Sequence, residues 1–464
     1  MSVRGLKAVL NGTGKYKYKN PESAVDFLVV GGGVVGLAVA QRLAERFPAK
    51  STFLVERHTS AGQETSARNS EVIHGGFYYP ADSLKTRLCI RGRQLMYERC
   101  SKHSVPHRKL GKLVVAQDNQ RPYIEKLQKT ASSLQWPPVP GHLNVDEGIS
   151  ERSKPCPVHI ISGDEAREME PDLSKKIVAA LWSPETGIVD SHAFMESLEK
   201  DILESEGGNL AFSTEVVRVD QYTGSTQRQG DPSAEFPSPG WVVQTVTDHA
   251  DESDSIFAKT LVNASGLSAN LILNSLIPEG HHISMFFARG SYASYHGPGT
   301  SNVSHLVYPC PSTGGSHSAF QSLGTHLTLD MNGSVRFGPD LDWLDPPSED
   351  GIDFWQQHLI PDESRLGLMY EAVTEYLPGV VREGFQPDYC GIRPKLVGPN
   401  GGFQDFVFRV NYPHEFSQQG IAQSSEGEGQ MISLMGIESP GLTASLAIAE
   451  MVVDGIVGKN AKIR

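Results

Sequence analysis

Asp26-Phe-Leu-Val-Val-Gly-Gly-Gly-Val-Val-Gly-Leu-Ala38 is the stretch whose reading decides the fold. Phe27 to Val30 form an apolar, strand-like run, and beyond the glycines Val35, Leu37, Ala38, Ala40, Leu43, Ala44 and Phe47 recur at helical spacing. A lone G-x-G-x-x-G is common. Here Gly31, Gly33 and Gly36 close a strand and open a helix, and the next strand-like run, Thr52-Phe-Leu-Val-Glu56, ends in an acid twenty residues past Gly36. That context makes the motif a dinucleotide fingerprint. The glycines, with Val34 and Val35 in the turn, let backbone approach a pyrophosphate at a helix N-terminus, where free N–H groups and the dipole favour negative charge. Glu56, followed by Arg57, is placed to accept from ribose hydroxyls, and its charge disfavours a 2′-phosphate.

Outward from this unit, the 464 residues exceed the usual size of one domain and can bury a large core. A net charge of -13 argues against nucleic acid or anionic membrane as a general partner, so positive charge that holds an anion has to be local. No apolar run approaches the roughly 20 residues of a transmembrane helix. Cys89, Cys100, Cys156, Cys310 and Cys390 form no C-x-x-C pair, which fits a reducing compartment, mitochondrial or cytoplasmic, and no metal site. Residues 1–24 are a basic arm with no acid before Glu22; a short mitochondrial presequence and a disordered tail both fit this pattern.

Farther along, Leu84–Cys100 and Ser191–Glu206 have helical periodicity, while Lys109–Ala116, Leu210–Val219 and Trp241–Thr247 look like strands. Trp136–Pro157 and Tyr222–Gly240 read as a surface insertion and a long loop. Ala258 to Gly266 is a strand ending in small residues, with a helix from Ser268 onward. From His282 to Phe337 alternation over Phe286–Tyr295, Leu323–Leu329 and Ser334–Phe337 indicates a second, antiparallel sheet. A helical segment near Leu366–Tyr376 follows, and the chain returns through Gly391-Ile-Arg-Pro-Lys395. The final helix, with Leu442, Leu446, Ile448, Val452, Val453 and Ile456, is apolar on most sides and starts behind Ser439-Pro440-Gly441. It is either a buried packing element or one aimed at a bound ring.

Four motifs carry a family resemblance: Thr65-Ser-Ala-Arg-Asn-Ser-Glu-Val-Ile-His-Gly-Gly-Phe-Tyr-Tyr79, Gly187-Ile-Val-Asp190, Leu323-Gly-Thr-His-Leu-Thr328 and Gly436-Ile-Glu-Ser-Pro-Gly-Leu-Thr443. With the fingerprint, and in this order from Asp26 on, they resemble the L-2-hydroxyglutarate-dehydrogenase-like members of the D-amino-acid-oxidase-like flavoproteins. The resemblance implies an α/β fold in which a Rossmann-type FAD-binding domain (25–105, 186–281 and 386–464) is interleaved with an antiparallel-sheet α+β substrate domain (106–185 and 282–385). It implies FAD, held by the fingerprint residues and by Ser66, Asn69, Ser70, Val217, Ala264, Ser265, Gly266, Gly436, Pro440, Gly441, Leu442 and Thr443. The implied reaction is oxidation of L-2-hydroxyglutarate, or a related small anionic 2-hydroxy acid, to the 2-oxo acid by hydride transfer to flavin N5, with an unidentified electron acceptor. An amine or amino-acid oxidase of the same fold and a non-catalytic flavin-binding subunit are the alternatives. The chain departs from the pattern at Glu71, where Gly is usual, and at Gly75, where Ala is frequent.

Such a reaction needs a base and cations for the carboxylates. Histidine suits the base because its pKa lies near working pH. His74, beside Asn69-Ser70, and His326, on an alternating strand with Thr328, are the candidates; either also fits a hydrogen-bonded core histidine, and His74 a covalent flavin link. Arg393, stiffened by Pro394, is the first candidate for a carboxylate because its guanidinium binds bidentately. Arg289 is the second, with Tyr292 and Tyr308 as hydroxyl donors; each arginine also fits an ion pair, and Lys395 fits that description best.

Overall fold

The computed structural model describes residues 3–138, 154–223, 238–311, 324–348, 351–416 and 429–458. Its first sheet grows from the fingerprint. Ser23–Val30 lies between Thr52–Val55 and Asp254–Asn263, with Gly208–Ala211 beyond the former and Met431–Met435 beyond the latter, all parallel. Leu28 and Val29 are wholly buried, as a parallel sheet covered on both faces requires. The hairpin Thr214–Tyr222 and Gly240–Thr247 adds antiparallel to the first half of Asp254–Asn263. On one face pack the helices Val34–Arg46, Leu84–His103, Ser191–Glu204 and Gly441–Glu450, whose Leu37, Met96, Phe194 and Ile448 share one core. Trp241, Ile272 and Met431 fill the other face.

The second sheet contains Asp342–Leu344, Phe286–Tyr295, Val335–Gly338, His326–Leu329, Leu306–Pro309, Lys112–Ala116, Ala179–Ser183 and His159–Ser162 in that order. Its pairings are antiparallel except for Leu306–Pro309 against Lys112–Ala116, which run parallel. Phe385–Lys395 pairs along Phe286–Tyr295, so residues 386–395, assigned from sequence to the cofactor domain, lie in this second sheet. The chain passes repeatedly between the two sheets, and a small sheet of Val72–Ile73, Gly187–Val189 and His107–Arg108 joins them.

Several expectations are corrected. The N-terminal arm is neither a free tail nor detached from the fold: Leu6 is 2% exposed, bridges Met285 and accepts from Asn270, because its apolar side chain completes a small core with Phe287 and Trp355. The single strand expected over Leu210–Val219 is two, broken where Ser213 takes a φ of 50°. Of the Trp136–Pro157 insertion, residues 139–153 lie outside the described residues, as do 224–237 of the Tyr222–Gly240 loop and Leu323. The return of the first insertion is interior rather than surface: Cys156 is 2% exposed and Pro155 O accepts from the buried Arg93.

Two family departures prove to be structural. Glu71 sits at φ 55°, a left-handed conformation that suits glycine. Its carboxylate accepts from Ser191 N and Oγ at 3.0 and 2.8 Å, which holds the turn. A Cβ at Gly75 would stand 2.6 Å from the Phe77 ring.

The start of the final helix is pinned at Gly92, where a Cβ would come 2.2 Å from Thr443 O. A helical Gly→Ala change ordinarily stabilises by up to about 1 kcal/mol. Gly92→Ala is expected to reverse that sign and to cost about 1–3 kcal/mol through overpacking. Gly280→Ala, with nothing within 4 Å, is the control. Urea midpoints of the two variants check this, and an unshifted Gly92→Ala midpoint would contradict the close approach.

Candidate active site

A cleft of about 320 Å³ runs from the fingerprint to the second sheet. At one end stand Gly31, Gly33, Val34 and Val35 from the first turn, Glu56 and Arg57 from the second strand, and Ala264, Ser265 and Gly266 from the end of Asp254–Asn263. The backbone is crowded for a reason. Gly31 has φ 105°, and a Cβ there would be 2.7 Å from Ala264 O; at Gly36 it would be 1.9 Å from Gly31 O. Gly36 thus supports the turn from behind and does not line the cleft. The helix Val34–Arg46 begins with no acid in its first turn, and Val34 N donates to Ser66 Oγ at 3.0 Å. Glu56 is desolvated, which raises its pKa, and accepts from His58 N and Gly32 N at 2.8 and 2.6 Å. Arg57 is tied to Glu64 and Asp353.

The cleft continues past Asn69 and Ser70 to Pro440, Gly441 and Leu442, and then to His74, Tyr292, Tyr308, His326 and Arg393. Asn69 shapes its own turn, donating to Ser66 O at 2.6 Å and accepting from Glu71 N. Tyr292 and Tyr308 both hydrogen-bond Ser70, and burial pushes the Tyr292 hydroxyl up to about 12. The His326 ring stacks on Tyr308 at 3.7 Å and 6°. Among the described residues its Nδ1 has no hydrogen-bond partner. Burial, then Lys112, His74 and Arg393, hold His326 well below the usual histidine range. His74 is pushed down to about 3 by burial and by Lys112, and its Nε2 lies 3.5 Å from Ser439 Oγ. Arg393 Nη1 is buried without a partner among the described residues.

Besides Gly36, four expected contacts lie elsewhere. Arg289 is away from the cleft, engaged by Asp342 at 3.3 Å and Asp362 at 3.4 Å, so its charge is already compensated. Val217 is replaced at the lining by Val216, because the pairing of that strand bulges between Val216 and Arg218. Gly436 turns at φ 66° against Leu396. Thr443 Oγ1 is a tether: it donates to Val72 O at 3.1 Å and accepts from His74 N at 3.0 Å, which fixes the His74 segment to the final helix.

Sequence reasoning missed two cationic groups. Lys85 and Lys395 are 4% and 6% exposed and share Glu438, at 3.0 Å and 2.8 Å. The two ammonium groups hold that carboxyl down at about 2, against its desolvation. Lys85 and Glu438 line the cleft. Lys395 is thus in an ion pair as expected, but a buried one. The other group is Lys112, completely buried and without a hydrogen-bond partner among the described residues. A signal for Lys395 existed in its i, i+2 spacing from Arg393, which puts both on one face of their strand; Lys85 and Lys112 had none.

A family model described as FAD dependent oxidoreductase matches residues 26–455. The mitochondrial L-2-hydroxyglutarate dehydrogenase of Arabidopsis thaliana is 33% identical over 97% of this chain and 87% of its own length. L-2-hydroxyglutarate dehydrogenase of Escherichia coli K12 is 26% identical over 82% and 85%. Among solved structures, L-alpha-glycerophosphate oxidase from Mycoplasma pneumoniae with FAD bound superposes with a TM-score of 0.69 at 21% identity, covering 94% of this chain and 95% of that one. Glycine oxidase from Geobacillus kaustophilus gives 0.63 at 17%, covering 94% and 95%.

The glycine-lined end fits FAD, because its closest approaches leave no room for side chains. At Gly33 a Cβ would meet Ser66 Oγ at 3.0 Å. Gly33→Val is therefore expected to fold but to purify largely as colourless apoprotein, read from flavin absorbance per chain. Full flavin content in this variant would count against the pyrophosphate site.

Proposed function

The chain belongs to the family of FAD dependent oxidoreductases, and we propose that it oxidises L-2-hydroxyglutarate, or a closely related 2-hydroxy acid, to the 2-oxo acid. The observation that carries this reading is Arg393, which lines a cleft that also holds two neutral imidazoles and whose Nη1 is buried and unpartnered among the described residues. A buried guanidinium nitrogen without a partner is costly, and a carboxylate removes that cost with two parallel hydrogen bonds. The names of the curated relatives support the same substrate.

Bound FAD, held by the glycine turn, Glu56, Ala264 to Gly266 and the start of the final helix, supplies the hydride acceptor. This chain's own residues do the rest. Arg393 receives the carboxylate next to the hydroxyl-bearing carbon. The second carboxylate of a dianion is met by Lys85, because Lys85 and Lys395 together exceed Glu438 by one positive charge. His326 takes the hydroxyl proton; its neutrality leaves a ring lone pair available. His74 Nε2, with Ser439 near it, is the second acceptor within the cleft. Tyr292 and Tyr308 stay protonated as donors. A mitochondrial or cytoplasmic location accords with the mitochondrial label of the plant and animal relatives. The five cysteines are all unpaired thiols.

His326→Ala is expected to slow flavin reduction at saturating substrate by about 10²–10⁴, the usual worth of a general base. Rapid mixing measures it, and reduction at the parent rate moves the base to His74. Because both imidazoles titrate below 6.5, they stay neutral and competent as pH falls to that point. The acidic limb of kcat/KM is accordingly expected below pH 6.5. Arg393→Lys keeps the charge and loses the fork, so KM for L-2-hydroxyglutarate is expected to rise at least about tenfold. A parent enzyme that prefers an amino acid would instead favour amine oxidation, and one whose flavin no small substrate reduces would favour a binding subunit.

A further inference from the structure

Behind the histidine–tyrosine stack lies a charge that the proposed reaction does not use. Lys112 begins the strand Lys112–Ala116, which runs parallel to Leu306–Pro309 with Lys112 beside Leu306 and Val114 beside Tyr308. The lysine is 0% exposed, and its Nζ has no hydrogen-bond partner among the described residues. Where a carboxylate would be expected it meets three rings: those of Tyr78 and Tyr308, each with its centroid at 4.4 Å, and that of Phe77 at 5.2 Å. Tyr308 is the ring on which His326 stacks. Ring faces attract an ammonium, but they do not cancel its charge. Two positive charges within one low-dielectric pocket repel strongly.

We propose that Lys112 is a positioning residue for His326: its ammonium, boxed in by Phe77, Tyr78 and Tyr308, steadies the Tyr308–His326 stack and opposes a positive charge on the imidazole. The inference rests on the reading of His326 as the base. The groups facing Lys112 leave the repulsion uncompensated. Cys89, on the helix Leu84–His103, is pushed up to about 12 by burial, and Cys156, after the first insertion, is also raised, so both remain thiols. Burial raises the phenols of Tyr78 and Tyr308 as well. His74 and, on the strand Phe385–Lys395, Arg393 add no negative charge. Burial brings Lys112 itself down to about 7. As pH falls through that value, the cluster's first proton goes to the amine. Its charge then keeps the imidazole neutral across the interval in which an ordinary histidine protonates.

Lys112→Met in the full-length, FAD-loaded protein tests this with carbon-13-labelled histidines followed by NMR across pH. The His326 signal is assigned by its loss in His326→Asn. The expected result is an upward shift of the His326 midpoint by on the order of one pH unit. Lys112→Gln, neutral and polar, is expected to shift it likewise, and Lys112→Arg to leave it low. Methionine also removes a buried charge, so Lys112→Met is expected to melt above the parent at pH 6. The sign follows from a lysine pKa depressed on folding: its destabilisation grows as pH falls from the unfolded value and is complete below about 7. An unchanged His326 midpoint in both neutral variants overturns the inference. A midpoint that rises without moving the acidic limb of kcat/KM upholds the inference and overturns His326 as the base.

Discussion

The close approach of three backbone segments at the fingerprint governs the rest of the structure. Gly31 lies against Ala264 O, and Gly36 lies against Gly31 O so tightly that no side chain fits at either place. That contact seats the first helix on the parallel sheet and aims its N-terminus into the cleft. It also draws the end of Asp254–Asn263 alongside, which is why Ala264 to Gly266 line the same end. A second close approach, Gly92 against Thr443 O, places the final helix next to the helix Leu84–His103. Thr443 then binds the His74 segment. The cofactor end and the histidine end are therefore joined by backbone contacts that tolerate little movement.

On that frame the site is shaped by buried and half-buried cations in an acidic chain. Arg393, Lys85, Lys395 and Lys112 stand in or behind the cleft with Glu438 as the one carboxylate paired to them among the described residues. Such an arrangement is unfavourable in the absence of an anion. The histidines are lowered first by their burial and then by nearby positive charge, Lys112 in both cases.

Much of this was legible in the sequence, and for local reasons. The fingerprint depends on glycines at fixed spacing between a strand and a helix, and alternation marked the second sheet from Phe286 onward. His74, His326, Tyr292, Tyr308 and Arg393, chosen from separate motifs, are gathered in one cleft. The errors came from features without a local mark. Residues 386–395 pair with Phe286–Tyr295 across a long separation in sequence. A bulge exchanged Val217 for Val216. Nothing in the basic arm announced that Leu6 would complete a core.

By itself the sequence determined the strand–turn–helix of the dinucleotide fingerprint, the two-sheet α/β architecture and the residue types able to hold a carboxylate and accept a proton, because glycine spacing and apolar period are local properties. Only the tertiary structure decided which cations remain uncompensated. Arg289 and Arg393 are equivalent as arginines on neighbouring strands, yet Asp342 and Asp362 fold onto the first and nothing among the described residues pairs with Nη1 of the second. Lys112 looked like any lysine in a strand, and register alone put it among aromatic rings behind His326. The physical reason is that a charge's effect depends on its surroundings in space, through desolvation and the partners within a few ångströms, and no local pattern encodes these.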